Sequence, residues 1–399
     1  MIYQKHCPGC FENKNSLAVC PHCGYDESAP RTALYLPHGV IIGGQYRVGS
    51  VLGRPGGFGI TYIAWDVHLQ QRVAIKEYLP RRLAGRSETS TDVVVDSPEH
   101  EAAYREGLED FLAEARVIAR FDHPNIVRVR AFFRANNTAY LVMDYYEGIS
   151  LGDYMATLRE GHVSAEVAVR FLGPVLEGLQ FVHDHGVIHR DIKPQNIYLA
   201  SGGRAILLDF GAARDATRSA DGGGLVLLSE GYAPLEQYQK EGRLGPWTDV
   251  YAVAATLYRM VTGKIPPAAL DRVGDDAVMR PMGLDDVKFE QALRTGLALH
   301  IEDRFQSAYE FRIALFDALD ILDDSRDTGE PAVTGTREVT TPVEPETVPL
   351  DAARSADRES PRAIPAAPWG SDRGAAMIAA AILIGAIVIA AVLWLRLPG

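Results

Sequence analysis

Hydrophobic and polar positions repeat with different periods along the chain, and the changes of period mark its elements. Tyr46-Arg47-Val48, Ile63-Ala64 and Val73-Ala74-Ile75, rich in β-branched and aromatic residues, read as strands between turns. From residue 97 to about 120 the period becomes helical. Phe111, Leu112, Ala115, Ile118 and Ala119 fall on one face, with Ser97 as a candidate N-cap and Pro98 in the first turn. Glu114 lies three residues after Phe111 and four before Ile118, so it points toward that apolar face. A carboxylate there calls for a cationic partner, because burying it unpaired is costly. Lys76, ending the strand before it, is the candidate. A second helix is expected between Ser164 as cap and Gly186 as stop, and Ala205-Ile206-Leu207-Leu208 reads as a buried strand delivering Asp209. The patterned stretch, about 46 to 320, is long enough for a two-lobed domain.

Beyond it the pattern fades. Residues 321–373 are rich in Pro, Thr, Ala, Asp and Glu, with few aromatics, and read as a disordered linker that cannot bury enough apolar surface to offset its ordering entropy. Residues 374–395 then carry no charge and are bounded by Arg373 and Arg396. About 20 apolar residues suffice to cross a bilayer, so one transmembrane helix with a 396–399 tail is expected. The flanking arginines are too balanced to set its orientation. Ala381 and Gly385 have the small-xxx-small spacing that lets such helices approach, so self-association is a candidate property.

Charge and cysteines refine this picture. A formal net charge of -12 argues against a general nucleic-acid binder. All four cysteines lie in the first 23 residues, and the start Met1-Ile2-Tyr3-Gln4-Lys5-His6 has no apolar signal core. Cys7-Pro8-Gly9-Cys10 and Cys20-Pro21-His22-Cys23 form two C-x-x-C knuckles whose turns each present two thiolates to one side. A segment of about 30 residues has no core of its own and folds only if a metal supplies the free energy. It resembles the small zinc ribbons of prokaryotic proteins, with Cys7, Cys10, Cys20 and Cys23 as ligands of a structural zinc. The knuckles stand closer than the spacing of about 15–20 residues usual for such pairs. A disulfide or redox role is the alternative.

Within the patterned domain the candidate chemistry concerns phosphate. Leu52-Gly53-Arg54-Pro55-Gly56-Gly57-Phe58-Gly59 sits between strands, and its glycines let backbone N–H groups approach phosphates. Val73-Ala74-Ile75-Lys76 ends a strand in a lysine. Leu141-Val142-Met143-Asp144-Tyr145-Tyr146 follows further on, then His189-Arg190-Asp191-Ile192-Lys193-Pro194-Gln195-Asn196 and Asp209-Phe210-Gly211. Asp191 suits a proton acceptor and Lys193 a neutraliser of phosphoryl charge; Asn196 and Asp209 offer the hard oxygens magnesium prefers.

In this order the motifs resemble bacterial eukaryotic-like serine/threonine protein kinases over about residues 46–315. The resemblance implies an α+β, two-lobed kinase fold with a small β-rich lobe and a larger helical one, and protein substrates. ATP is expected in a cleft under Leu52, Gly53, Gly56, Gly57, Phe58 and Gly59, beside Lys76, with adenine against Met143, Asp144 and Tyr146. It implies a Lys76–Glu114 ion pair, and magnesium or manganese on Asn196 and Asp209. Ser229-Glu230-Gly231-Tyr232-Ala233-Pro234-Leu235-Glu236 resembles the substrate-facing segment, with Leu235 where the family has proline. Small-molecule kinases lack that segment. Glu236 is expected to pair with Arg304, Asp249 to brace the catalytic loop, and Arg190 to hold a phosphate on Thr217 or Ser219. Thr340 and Thr341 are candidate self-phosphorylation sites. Arg54 stands where the glycine motif begins, which keeps a membrane-tethered pseudokinase scaffold as the second reading. The whole then divides into a zinc ribbon (1–30), a lead-in (31–45), the kinase domain (46–320), the linker and the anchor. ATP and reduced thiols imply a cytoplasmic-membrane protein, single-pass, with both folded domains in the cytoplasm.

Overall fold

The computed structural model describes residues 5–53, 57, 59–87, 90–210, 229–239, 241–276 and 282–321. Gly56, Phe58, Gly211, Thr217, Ser219, nearly all of the expected linker and the whole apolar run 374–395 lie outside them. Among the described residues no helix is long and apolar enough to cross a membrane.

The first lobe is built on strands β1 (Ile41–Ile42), β2 (Tyr46–Val51), β3 (Gly59–Asp66), β4 (Gln71–Tyr78), β5 (Ala84–Arg86) and β6 (Val93–Val95), helix α1 (Glu101–Ile118), and strands β7 (Val129–Ala135) and β8 (Thr138–Asp144). The main sheet is antiparallel in the order β1-β2-β3-β4-β8-β7, while β5 and β6 pair with each other. In that register Lys76 lies between Thr61 of β3 and Leu141 of β8. Gly59 has to be glycine, because a methyl group there would overlap the carbonyl oxygen of Glu77 on β4.

Helix α1 lays Leu108, Phe111, Leu112, Ala115 and Ile118 on the sheet. Each large side chain removed from water in this way contributes roughly 1.5–3 kcal/mol. The helix starts later than its sequence suggests. Ser97 precedes a separate 3-10 turn, Pro98–His100, and makes no side-chain capping bond. The first residue of that turn is a proline without an N–H, and α1 begins only beyond it.

Between β4 and α1, strands β5 and β6 form a hairpin that turns Arg86 inward. Arg86 pairs with the fully buried Glu77, which also accepts from the hydroxyls of Tyr62 (3.0 Å) and Tyr140 (2.8 Å). Its other nitrogens donate to the carbonyls of Leu34 (2.6 Å) and Thr91 (2.8 Å).

The second lobe comprises β9 (Gly148–Ser150), α2 (Leu151–Thr157), α3 (Ala165–Asp184), β10 (Ile197–Ala200), β11 (Arg204–Leu207), α4 (Leu235–Tyr238), α5 (Pro246–Thr262), α6 (Val287–Gly296) and α7 (Ala308–Ala318). Helix α3 starts at Ser164, whose hydroxyl accepts from the Val167 amide, and stops before Gly186 at φ 74. It packs on α5 and α7. Gly173 makes this approach close, with the Phe316 ring 2.8 Å from where a Cβ would sit. The sheet β11-β10-β9 lies beside it and delivers the motif loops.

Candidate active site

Two loops and one strand converge between the lobes. The first loop, 189–196, is fixed from beneath by Asp249 at the start of α5. This buried carboxylate accepts from the amides of His189 and Arg190 and from Nε2 of His183, each at 2.8 Å. Burial alone would raise its pKa; the hydrogen bond and charge of His183 outweigh that and hold it below the usual range. The carbonyl of Arg190 accepts from the Gln237 side chain (2.7 Å), and Arg190 itself is left-handed at φ 68. A bulky residue stays in that region only when its surroundings over-determine it.

The loop so held presents Asp191. Its two carboxylate oxygens accept from Lys193 Nζ at 3.1 and 3.0 Å, Asn196 Nδ2 reaches one of them at 2.9 Å, and the Ser229 hydroxyl donates to the other at 3.1 Å. Lys193 also donates to Ser229 Oγ (3.1 Å), so acid, lysine and hydroxyl form one cluster. The amide nitrogen of Asn196 is spent on Asp191, which leaves its Oδ1 as the group suited to a cation.

The second loop carries Asp209, again left-handed at φ 51, two residues past the end of β11. Lys76 Nζ reaches Asp209 Oδ1 at 2.8 Å across the cleft. Burial would lower the Lys76 pKa, but Asp209 first and Glu114 next outweigh it and raise it. Asp209 is shifted down, the Lys76 charge exceeding the opposing effect of burial. Glu114 is thus within electrostatic reach of Lys76, and the lysine makes its short contact across the cleft to Asp209. His189, at the start of the first loop, ties it to the second: Nε2 bonds to the Leu208 carbonyl (2.9 Å) and its ring packs at a tilt of 41° against Phe210, 4.5 Å away.

Around this centre, Leu52 donates to the Thr61 carbonyl (2.7 Å), Gly53 turns at φ 64, and Gly57 and Gly59 follow. Met143 is buried at the end of β8. The Asp144 amide is committed to the Arg128 carbonyl, and its side chain to Arg130. Tyr146 lies under the Arg204 guanidinium. Glu236 pairs with Arg304 through two bonds of 2.7 and 3.0 Å, both side chains buried. A depression beside Asp191 is lined by Ser229, Tyr232, Ala233 and Gln237. A larger hollow of about 490 Å³, lined by Arg272, Arg294 and Asp303 among others, contains none of the motif residues. Chemistry, not size, marks the site.

At the N-terminus the four cysteine sulfurs lie within 4.8 Å of one another, with Cys7–Cys23 at 3.6 Å and Cys10–Cys20 at 3.7 Å. A tetrahedron of sulfurs each about 2.3 Å from zinc has edges of roughly 3.8 Å, so the set fits that ion. None is in a disulfide. Each knuckle closes in the same way, Phe11 N to Cys7 O (2.8 Å) and Gly24 N to Cys20 O (2.9 Å).

Sequence reading did not find Glu77, Arg86, His183 or Gln237. His183 had a visible signal, a polar residue inside the buried stripe of α3, as had Glu77, an acid at an inward register of a strand.

Residues 46–282 match the family model for the protein kinase domain. The chain belongs to the protein kinase family, and its kinase domain is of the ATP-dependent serine/threonine type. It is 32% identical over 260 residues to serine/threonine-protein kinase pkn2 of Myxococcus xanthus, covering 62% of this chain and 28% of that one. With PknB of Mycolicibacterium smegmatis it shares 28% over 308 residues, 71% of this chain and 46% of the relative. The chain thus spans less than half the length of these relatives. The solved apo form of PpkA-294 superposes with a TM-score of 0.63 at 32% identity, over 71% of this chain and 99% of that one.

Proposed function

We propose that the chain transfers the γ-phosphate of ATP to serine and threonine hydroxyls of proteins, itself included, while tethered to the cytoplasmic membrane by residues 374–395. The observation that carries the reading is the Asp191 cluster: a carboxylate held by Lys193, Asn196 and Ser229, facing the Lys76–Asp209 pair across one cleft. A substrate hydroxyl bonded to Asp191 gives up its proton there as its oxygen attacks the γ-phosphorus, and the bond to the ADP oxygen breaks. Lys193 neutralises charge on the transferring group, and Lys76 orients the other phosphates. Asn196 and Asp209 would hold magnesium, which when bound offsets the phosphate charge. Arg190 stands beside the cluster, where it would receive phosphate placed on Thr217 or Ser219.

The four cysteines support a structural zinc, since a closed set of four sulfurs leaves no position for a reacting water. The length and apolarity of 374–395 support the tether, and the Ala381/Gly385 spacing supports self-association through it. Labelled ATP with wild type and Asp191→Asn tests the catalytic reading. Loss of a general base costs typically about 10²–10⁴-fold. Equal labelling of the two proteins would reject it in favour of a scaffold. Extraction of the chain from membranes by carbonate or high salt would reject the tether.

A further inference from the structure

The two cysteine knuckles share one backbone turn but not one residue at its end. The second knuckle ends in Gly24 at φ 72, a conformation glycine adopts freely; the first reaches φ 62 with Phe11, which pays a steric penalty for it. The strained residue has a visible use. Its ring lies 5.8 Å from the Trp65 ring on β3, and its tip is 2.9 Å from where a Cβ of Gly49 would be.

Strand β2 is shaped to receive this knuckle. Its register with β3 slips by one residue between Val48↔Ala64 and Val51↔Tyr62, a bulge at Gly49 and Ser50. The Ser50 amide donates to the Pro8 carbonyl of the knuckle at 2.8 Å. Gly49 must lack a side chain, because a methyl group would overlap that same carbonyl oxygen. Pairing resumes at Leu52 N to Thr61 O, and Thr61 is the β3 neighbour of Lys76. The segment after the ribbon adds a second anchor. Leu36 N donates to the Tyr62 hydroxyl, and the Leu34 carbonyl accepts from Arg86.

We propose that the first knuckle is a docked positioning device for the nucleotide-binding strands, so that filling the four-cysteine site and binding ATP favour one another. The inference rests on the zinc reading above. Metal fixes the turn that holds Pro8 and Phe11; the docked turn fixes the β2 bulge and the register beside Lys76. By linkage, nucleotide must tighten metal by the same factor that metal tightens nucleotide.

The test uses the full chain, a fluorescent ATP analogue for affinity, and the rate of zinc transfer to a chromogenic chelator. Zinc-loaded wild type is expected to bind the analogue about fivefold or more tighter than the stripped chain, within the range common for coupled sites, and to release zinc more slowly when nucleotide is present. Phe11→Gly copies the Gly24 turn. It should keep one zinc per chain, yet bind nucleotide in the loaded state as weakly as the stripped wild type does. Comparing loaded wild type with loaded Phe11→Gly needs no metal removal, so unfolding on stripping cannot imitate the result. Zinc uptake with unchanged nucleotide affinity overturns the coupling and leaves the metal site standing, as does a Phe11→Gly chain that keeps the full wild-type affinity. A chain that takes up no zinc overturns both.

Discussion

Two fully buried carboxylates, Glu77 in the strand lobe and Asp249 in the helical lobe, are satisfied by opposite kinds of partner. Glu77 is met by side-chain heads: the Arg86 guanidinium and the hydroxyls of Tyr62 and Tyr140. Asp249 is met mainly by backbone, the amides of His189 and Arg190, with His183 as its one side-chain partner among those described. Side-chain partners join distant segments without dictating the path of either, so Glu77 holds an accessory hairpin against the sheet. Backbone partners dictate dihedral angles, so Asp249 shapes the loop that presents Asp191. One network serves stability and the other serves geometry.

The largest expected effect lies on the Glu77 side. Arg86→Ala leaves a buried charge without its cation and should cost about 3–5 kcal/mol in urea unfolding. Arg86→Met with Glu77→Gln should recover most of it. Phosphotransfer per folded molecule should barely change; a folded Arg86→Ala protein with little activity would break the contrast. Asp249→Asn comes next. An amide cannot accept from both loop N–H groups and His183 without turning a donor toward a donor. The loss of charge-assisted bonds, about 1.5–3 kcal/mol, should fall on the catalytic step as roughly a 10–100-fold drop in kcat. A pure loss of stability at unchanged kcat would sink the geometric role.

The smallest effect is on pH dependence. Burial holds the His189 imidazole below its usual value despite Asp249 beside it. The folded form stays neutral where the unfolded chain takes a proton, so this stability is full above about pH 6.5 and declines as pH falls. The Asp249 carboxyl is also shifted down, so its contribution is present above its unfolded value of about 4 and is lost below it. Urea titrations at pH 7.5, 6 and 5 should show a shallow decline. A rise in stability over that range would contradict the assignment.

What the sequence displayed and what it hid follow the same division. The motif residues of the cleft sit in short contiguous strings, because a loop that aims several side chains at one ligand must place them close together in the chain. His189 to Asn196 is such a string, and Asp209 needs only one strand to reach it. The Glu77–Arg86 pair forms no such string, and the inward register of Glu77 does not name its partner, since the two belong to a strand and a hairpin that meet only through the fold. The docking of the ribbon is harder still to read. Its contacts run through the Pro8 carbonyl, the Ser50 amide and the missing side chain of Gly49, and backbone atoms carry no letter. Ser97 misled in the other direction, a good capping residue placed one proline turn too early.

The hydroxyl of Ser229 already occupies Asp191 in the resting protein. On the function proposed above, an arriving serine or threonine would exchange one O–H donor for another of the same chemistry, while Lys193 and Asn196 keep their bonds to the carboxylate. Admission of the acceptor would then be a near-balanced swap, in which attacking geometry weighs more than strength of capture.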